Sequence, residues 1–94
     1  MIVPPSKQDA AHIQKSYADV VETFKDQPAD KKTLSKIQDA LNDNARRIYD
    51  KWGRIVAKVG PNNYIDITSP RVSFREGTVK VVFMEVNREG KPIG

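Results

Sequence analysis

Residues 6–27 show the spacing of apolar side chains that an amphipathic helix requires. Apolar residues recur at intervals of three and four, and charged residues occupy the other positions. Ser6 can cap the free backbone N–H groups at the start, and Asp9 completes a weak capping box. Pro28 ends the pattern, because the residue before a proline avoids helical dihedrals. The predicted apolar stripe is Ala10, Ile13, Tyr17, Val20, Val21 and Phe24.

A second and longer helical pattern runs over residues 30–59. Asp30 can cap its start, and Gly60 followed by a proline ends it. Apolar residues repeat every seven positions, with others filling the same stripe. The polar run Asn42–Asn44 lowers helix propensity, so the helix either continues through this run or bends there. The stripe consists of Leu34, Ile37, Leu41, Ala45, Ile48, Tyr49, Trp52, Ile55, Val56 and Val59.

The short connection Gln27–Ala29 predicts that the two helices form an antiparallel hairpin. The second helix is the longer one, so the part after about Lys51 would extend beyond its partner. Apolar residues in that part, such as Trp52 and Ile55, would then need cover from another element.

The last third of the chain changes to alternating periodicity. Stretches rich in β-branched and aromatic residues predict strands, with a connection at Ser69–Pro70 and a tight turn at Glu76–Gly77. The last strand is apolar on both faces, which favours a central place in the sheet. Beyond it, the chain either frays or pairs at a sheet edge through Ile93. The predicted strands are residues 64–68, 71–75 and 78–86.

These elements predict an α+β fold in one domain, residues 1–94. An N-terminal antiparallel helical hairpin with a long second helix precedes a small antiparallel β-hairpin or three-stranded meander at residues 64–87, and residues 88–94 form a tail. The composition agrees with this prediction, because 94 residues that are 38% hydrophobic and 30% charged suit one folded domain.

Composition also excludes several kinds of site. The chain has no cysteine, so disulfide bridges, thiolate zinc sites and cysteine nucleophiles are ruled out. Its start, MIVPPSK, lacks the basic segment and apolar run of a signal peptide, and no stretch is apolar over the length of a membrane span. We expect a cytoplasmic protein without a membrane partner.

Positive charge is concentrated in the middle of the chain. The formal net charge is +4, and residues 31–60 hold eight basic and three acidic residues. Four of the basic residues recur at intervals of four, three and four, which places them on one side of a helix. Asp43 and Asp50 each precede an arginine of this group by four residues and can pair with it. The predicted basic stripe is Arg47, Lys51, Arg54 and Lys58.

Candidate catalytic residues are few. His12 has Asp9 and Ser16 at helical spacing, but neighbours on one helix do not surround a shared pocket as a nucleophile and its base must. Asp66 and Glu85 would support an enzyme only if they converged in a pocket. A single histidine, no cysteine and no phosphate-binding glycine motif predict no metal and no cofactor. We therefore expect no enzymatic activity.

The amphipathic second helix and the two-faced final strand present more apolar surface than a small core absorbs, which is typical of an interface. The sequence predicts a small non-catalytic module that binds another protein: by analogy an inhibitor or adaptor, including the host-directed kind made by phages, or an assembly subunit. A homodimer through the heptad stripe is an open alternative. So is a nucleic-acid-binding protein; the candidate binding residues are Arg46, Arg47, Lys51, Arg54, Lys58, Arg71 and Arg75.

Overall fold

Two helices precede a three-stranded antiparallel sheet in the computed structural model, which describes residues 6–93. This arrangement confirms the predicted α+β fold. Residues 1–5, on which the expectation about a signal peptide depends, and Gly94 lie outside the described residues. The elements in chain order are α1 (Lys7–Thr23), α2 (Lys31–Trp52), β1 (Val56–Lys58), β2 (Tyr64–Arg75) and β3 (Thr78–Val86).

Both helices begin at the predicted caps. The hydroxyl of Ser6 accepts the N–H of Asp9 at 3.1 Å, and a carboxylate oxygen of Asp30 accepts the N–H of Thr33 at 2.8 Å. Hydrogen bonds from Thr33 lower the pKa of Asp30, as expected for a carboxylate among the free N–H groups of a helix start. Local capping chemistry therefore sets these two boundaries.

The first helix ends at Thr23, four residues before its predicted end. Beyond it the backbone makes tighter bonds, in which Phe24 donates to the carbonyl of Val21 and Gln27 donates to the carbonyl of Phe24. Such three-residue bonds commonly terminate helices.

The second helix ends at Trp52, so the prediction that it continues to Val59 is wrong. Gly53 adopts φ 75° and ψ −166°, a conformation open to glycine, and its N–H closes the helix on the carbonyl of Tyr49 at 2.7 Å. The chain then turns into β1 (Val56–Lys58), which occupies part of the predicted helix. The heptad pattern of apolar residues therefore extends beyond the end of α2 and into β1, although only its first part is helical.

The helices pack antiparallel, and α2 runs without a break through the Asn42–Asn44 run. The buried amide of Asn44 donates to the hydroxyl of Ser16 at 2.9 Å, which satisfies a polar group inside the helix pair. Near the other end, the rings of His12 and Trp52 lie 6.2 Å apart. Because α1 reaches the last residue of α2, the predicted overhang does not exist.

The central strand of the sheet is β2, whereas β3, predicted to be central, lies at an edge. The strands predicted at 64–68 and 71–75 form the single strand β2, with an irregularity in its pairing between Asp66 and Pro70. The extra residues form a bulge, which lets a strand continue past a proline.

The helices cover one face of the sheet, which we call the inner face. Val72, Val79, Val81 and Phe83 share this face by register and pack against the core. The opposite face is called the outer face. The buried core consists of Ile13, Tyr17, Ile37, Leu41, Ala45, Ile48 and Ile55.

The backbone groups at the two edges of the sheet find different partners, since β1 covers only part of one edge of β2 and β3 forms the other edge. On the β2 side, the amide of Gln38 in α2 donates to the carbonyl of Pro70 at 3.0 Å and accepts the N–H of Val72 at 2.8 Å. This side chain therefore replaces a strand where β1 is too short to reach. On the β3 side, Ile93 donates its N–H to the carbonyl of Glu85 at 3.4 Å, so the tail pairs at the sheet edge. No helix in residues 6–93 is long and apolar enough to cross a membrane.

The substitution Gly53→Ala tests where α2 ends. A methyl group at this site meets no atom within 4 Å, so its effect comes from the backbone conformation. We expect the free energy of unfolding to fall by about 1–3 kcal/mol, because residues with a side chain are strained there. If the helix instead continued through Gly53, the same change would stabilise the protein by about 1 kcal/mol. Urea unfolding, with the exposed Arg47→Ala as a surface control, distinguishes the two signs.

Candidate functional site

An apolar groove of about 710 Å³ lies between α1 and the inner face of the sheet. Most of its lining residues are apolar, and we call it the apolar groove. Its helix side is formed by Ala10, Gln14, Ala18 and Val21, and its sheet side includes Ala57, Ile65, Ile67, Val79, Val81 and Phe83.

Tyr17 anchors α1 above the sheet and defines the floor of the apolar groove. Its hydroxyl donates to the carbonyl of Ile67 at 2.7 Å, and its ring packs edge-on against Phe83 with centroids 5.1 Å apart. Burial, together with the negative charge of Asp66, raises the pKa of Tyr17 above its ordinary value. The hydroxyl is therefore a fixed structural donor.

Small side chains keep the apolar groove open. Ala10 and Ala18 on α1 are exposed and face the sheet across the groove, and Ala57 faces them from β1. Larger residues at these positions would fill the space and cover Val79 and Val81, which remain half-buried. The core of this small domain is therefore closed around α2 and open beside α1.

The predicted basic stripe is divided by the end of α2. Arg46, Arg47 and Lys51 lie on the exposed side of the helix, and the ammonium group of Lys51 sits 4.6 Å from the centre of the Trp52 ring. The other two residues of the stripe, Arg54 and Lys58, come after Gly53, where the chain has left the helix and runs into β1. The helical spacing that suggested one continuous stripe therefore does not apply.

Arg54 is half-buried, and its guanidinium is engaged by groups within the fold. Its guanidinium pairs with the carboxylate of Asp66, with Nε and Oδ2 2.9 Å apart, and also donates to the carbonyl of Gly90. The pairing with Asp50 that helical spacing suggested is replaced by this longer-range one. We expect this residue to act in folding.

The carboxylate of Asp66 is buried and fully engaged. Besides Arg54, it accepts hydrogen bonds from the N–H and the hydroxyl of Thr68 and from the hydroxyl of Ser69. Burial alone would raise the pKa of this carboxyl, but the hydrogen bonds from Thr68 and Arg54 outweigh it, and the pKa is lowered. Asp66 is an ionised structural centre.

Three cations cluster on the outer face of the β2–β3 hairpin. Arg71 and Arg75 lie two residues on either side of Ser73, and Ser73 pairs with Lys80 on β3. All three basic side chains are exposed, and diagonal neighbours on a sheet lie about 7–8 Å apart. Lys58 on β1 is exposed on the same face. Arg71 and Arg75 were predicted from sequence, whereas the contribution of Lys80 depends on the register of the strands.

The carboxylates considered for catalysis do not converge. Asp66 pairs with Met84, and Glu85 pairs with Ile65, so the two acidic side chains project from opposite faces of the sheet. Within residues 6–93, no three histidine or acidic residues are close enough to hold a metal ion. His12 is exposed on α1 and faces Trp52.

A second, shallow depression of about 410 Å³ lies beside the carboxyl-terminal half of α2. It is bordered by Arg46, Tyr49 and Asp50 on the helix and by Thr68 in the bulge of β2. Opposite charges at its rim give it no strong preference for an anion or a cation.

Sequence reasoning missed the apolar groove and the role of Gln38. Alanines carry a weak hydrophobic signal, and the pairing of a glutamine with the backbone of a distant strand leaves no local pattern. Comparison with models of protein families, with curated proteins and with solved structures gives no match for this chain.

The ion pair of Arg54 and Asp66 predicts a loss of stability in acid. Asp66 has a lower pKa in the folded state than in the unfolded chain, where the pKa of an aspartate is about 3.9. Its contribution is therefore complete above that value and is lost as the pH falls through the folded pKa. We expect the urea midpoint of the wild-type protein to fall more steeply below about pH 5 than that of Asp66→Asn.

At neutral pH, Arg54→Ala should lower the free energy of unfolding by about 2 kcal/mol, because Asp66 loses a charged partner. Arg71→Ala is the matched control, since this exposed arginine bonds within the described chain only to the carbonyl of the adjacent Pro70. Equal stability of the two variants would contradict the structural role of Arg54.

Proposed function

We propose that this protein is a non-catalytic binding module that takes up an apolar segment of another protein in the apolar groove. The observation that carries the proposal is the groove itself, where half-buried Val79 and Val81 face exposed Ala18 across about 710 Å³. Apolar surfaces of this kind on small proteins commonly mark sites of interaction.

The chemistry of the lining favours a protein segment over a small metabolite. Small-molecule sites combine apolar walls with a few converging polar groups. Here the hydroxyl of Tyr17 is already bonded to Ile67, and the walls are otherwise mostly apolar apart from Glu22. Lys80 borders the groove from the β3 edge, but its side chain lies on the outer face by register. Such a lining offers cover to apolar side chains and little recognition of polar atoms.

The position of the groove adds to this argument. It borders β3, an edge strand of the sheet, so a peptide chain lying there has backbone groups beside it as well as apolar side chains. An inhibitor, an adaptor or a subunit of an assembly would use such a surface in the same way. The alternative of nucleic-acid binding has less support, because the basic stripe is divided and Arg54 is engaged within the fold.

Selection of peptides from a random display library on the immobilised protein tests the proposal. We expect the selected peptides to be rich in apolar residues and to bind Ala18→Glu at least about tenfold more weakly, because a carboxylate in the groove would be desolvated. Ala11→Glu is the matched control, since Ala11 is also exposed on α1 but does not line the groove.

Peptides that bind both variants equally would show that the groove is not the site. Light scattering on the same samples tests a second copy as the occupant. A molar mass that rises with protein concentration in the wild type, but not in Ala18→Glu, would assign the groove to a homodimer and contradict the proposal.

A further inference from the structure

Among the residues that the structure describes, the free edge of β3 has no strand partner along the residues that line the apolar groove. In residues 6–93, pairing on this side of β3 is confined to its end, where Val86 pairs with Pro92 and Ile93 bonds to Glu85. Within this described range, the stretch from Val79 to Phe83 has a strand neighbour only in β2. Unpaired edges of this kind are templates for an additional strand.

The hairpin turn fixes which backbone groups face outward. Glu76 and Gly77 both have positive φ, which defines a two-residue turn closed by the bonded pair Arg75 and Thr78. Bonded and non-bonded pairs alternate from there. The outward-pointing N–H and C=O groups therefore belong to Val79, Val81 and Phe83. The hydrogen bond from the tail supports this assignment. Ile93 donates its N–H to the carbonyl of Glu85, which is the next outward-pointing residue after Phe83.

A strand added at this edge would have two different sides. Side chains on its inner side would lie beside Val79, Val81 and Phe83 and enter the apolar groove under α1. Alternate side chains on its outer side would lie next to Thr78, Lys80 and the exposed Val82 of β3, with Arg71 and Arg75 one strand further away on β2. Burial therefore selects apolar residues at every second position of the added strand.

The charge of the outer face determines which residues suit the other positions of the added strand, those whose side chains lie on its outer side. Among the strand residues of the described chain, the only carboxylate on this face belongs to Asp66, and Arg54 neutralises it. The exposed charged side chains on the outer face of β2 and β3 are thus all positive, whereas the exposed Glu85 of β3 lies on the inner face. Opposite charges on adjacent strands attract and like charges repel, so acidic residues fit the outer side of an added strand.

We propose that β3 binds an extended segment of a partner protein in which apolar residues alternate with Asp or Glu. This segment adds a fourth strand to the sheet, bonds to the outward groups of Val79, Val81 and Phe83, and places its apolar side chains in the groove. The inference rests on the proposed function and specifies the conformation and chemistry of the segment.

The test uses short synthetic peptides, blocked at both ends, that alternate valine with glutamate or valine with lysine. A peptide with the composition of the glutamate form in scrambled order is the control. We expect the glutamate form to bind at least about tenfold more tightly than the other two. It should also slow the hydrogen exchange of the amides of Val79, Val81 and Phe83, which a groove occupant without strand pairing would not do.

Charge reversal at the edge provides a specific check. In Lys80→Glu, the preference should shift at least about tenfold toward the lysine peptide, since the charge next to the added strand is inverted. An unchanged preference would overturn the proposed acidic alternation. This variant changes an exposed side chain, so it retains the fold and keeps the proposal testable if other variants do not.

A pair of substitutions isolates the backbone contribution. Val81→Pro removes an outward N–H without breaking a bond to β2, as edge strands allow, whereas Val81→Ala shortens the side chain and keeps the N–H. We expect the proline variant to bind the glutamate peptide at least about tenfold more weakly than the alanine variant does. Equal binding would overturn strand addition.

The remaining outcomes separate this inference from the proposed function. Display-selected peptides that depend on Ala18 but leave the β3 amides unprotected would overturn strand addition and leave groove binding intact. Absence of any binding that depends on Ala18 would overturn both.

Protection of the same amides at high protein concentration without peptide would assign the edge to a second copy. A single-stranded oligonucleotide that binds the wild type and not Lys80→Glu, while the peptides do not bind, would make the outer face a phosphate-binding surface and overturn the inference.

Discussion

The buried carboxylate of Asp66 is the interaction on which the arrangement of the sheet depends. Its oxygens hold the bulge of β2 through Thr68 and Ser69, and they hold Arg54 in the segment that follows α2. Arg54 also reaches the carbonyl of Gly90 in the tail. The pair of Asp66 and Arg54 therefore joins the bulge of β2, the segment after α2 and the tail. A buried charge of this kind requires all its partners, so these segments are expected to be ordered together.

The two edges of the sheet explain why one side of the domain is closed and the other is open. Next to the short strand β1, Gln38 from α2 satisfies the backbone of Pro70 and Val72. On the opposite side, the tail reaches only the end of β3. The helix beside the open edge, α1, presents small residues such as Ala18 toward the sheet. The groove and the edge are thus consequences of the same uneven coverage, which is why one peptide segment can use both.

Local patterns in the sequence predicted the elements whose boundaries depend on neighbouring residues. The caps at Ser6 and Asp30 and the turn at Glu76–Gly77 all lie where their chemistry places them. The end of α2 was predicted seven residues too late, because Ile55 and Val59 happen to continue a helical period into a different element. Gly53, a glycine inside the helical pattern, was the sequence signal for the earlier end of α2.

The candidate site was beyond sequence reasoning for a related reason. Arg71 and Arg75 were identified from their charge, but Lys80 joins them only through the register of β2 and β3. Arg54 is not available to the basic stripe, because it pairs with Asp66, twelve residues away. The sequence by itself determined the class of fold, the helix caps and the hairpin, because each depends on a few adjacent side chains and their backbone. Tertiary structure decided the order of the strands, the pairing of Asp66 and the open groove, because these depend on contacts between distant segments that leave no periodic trace in the chain.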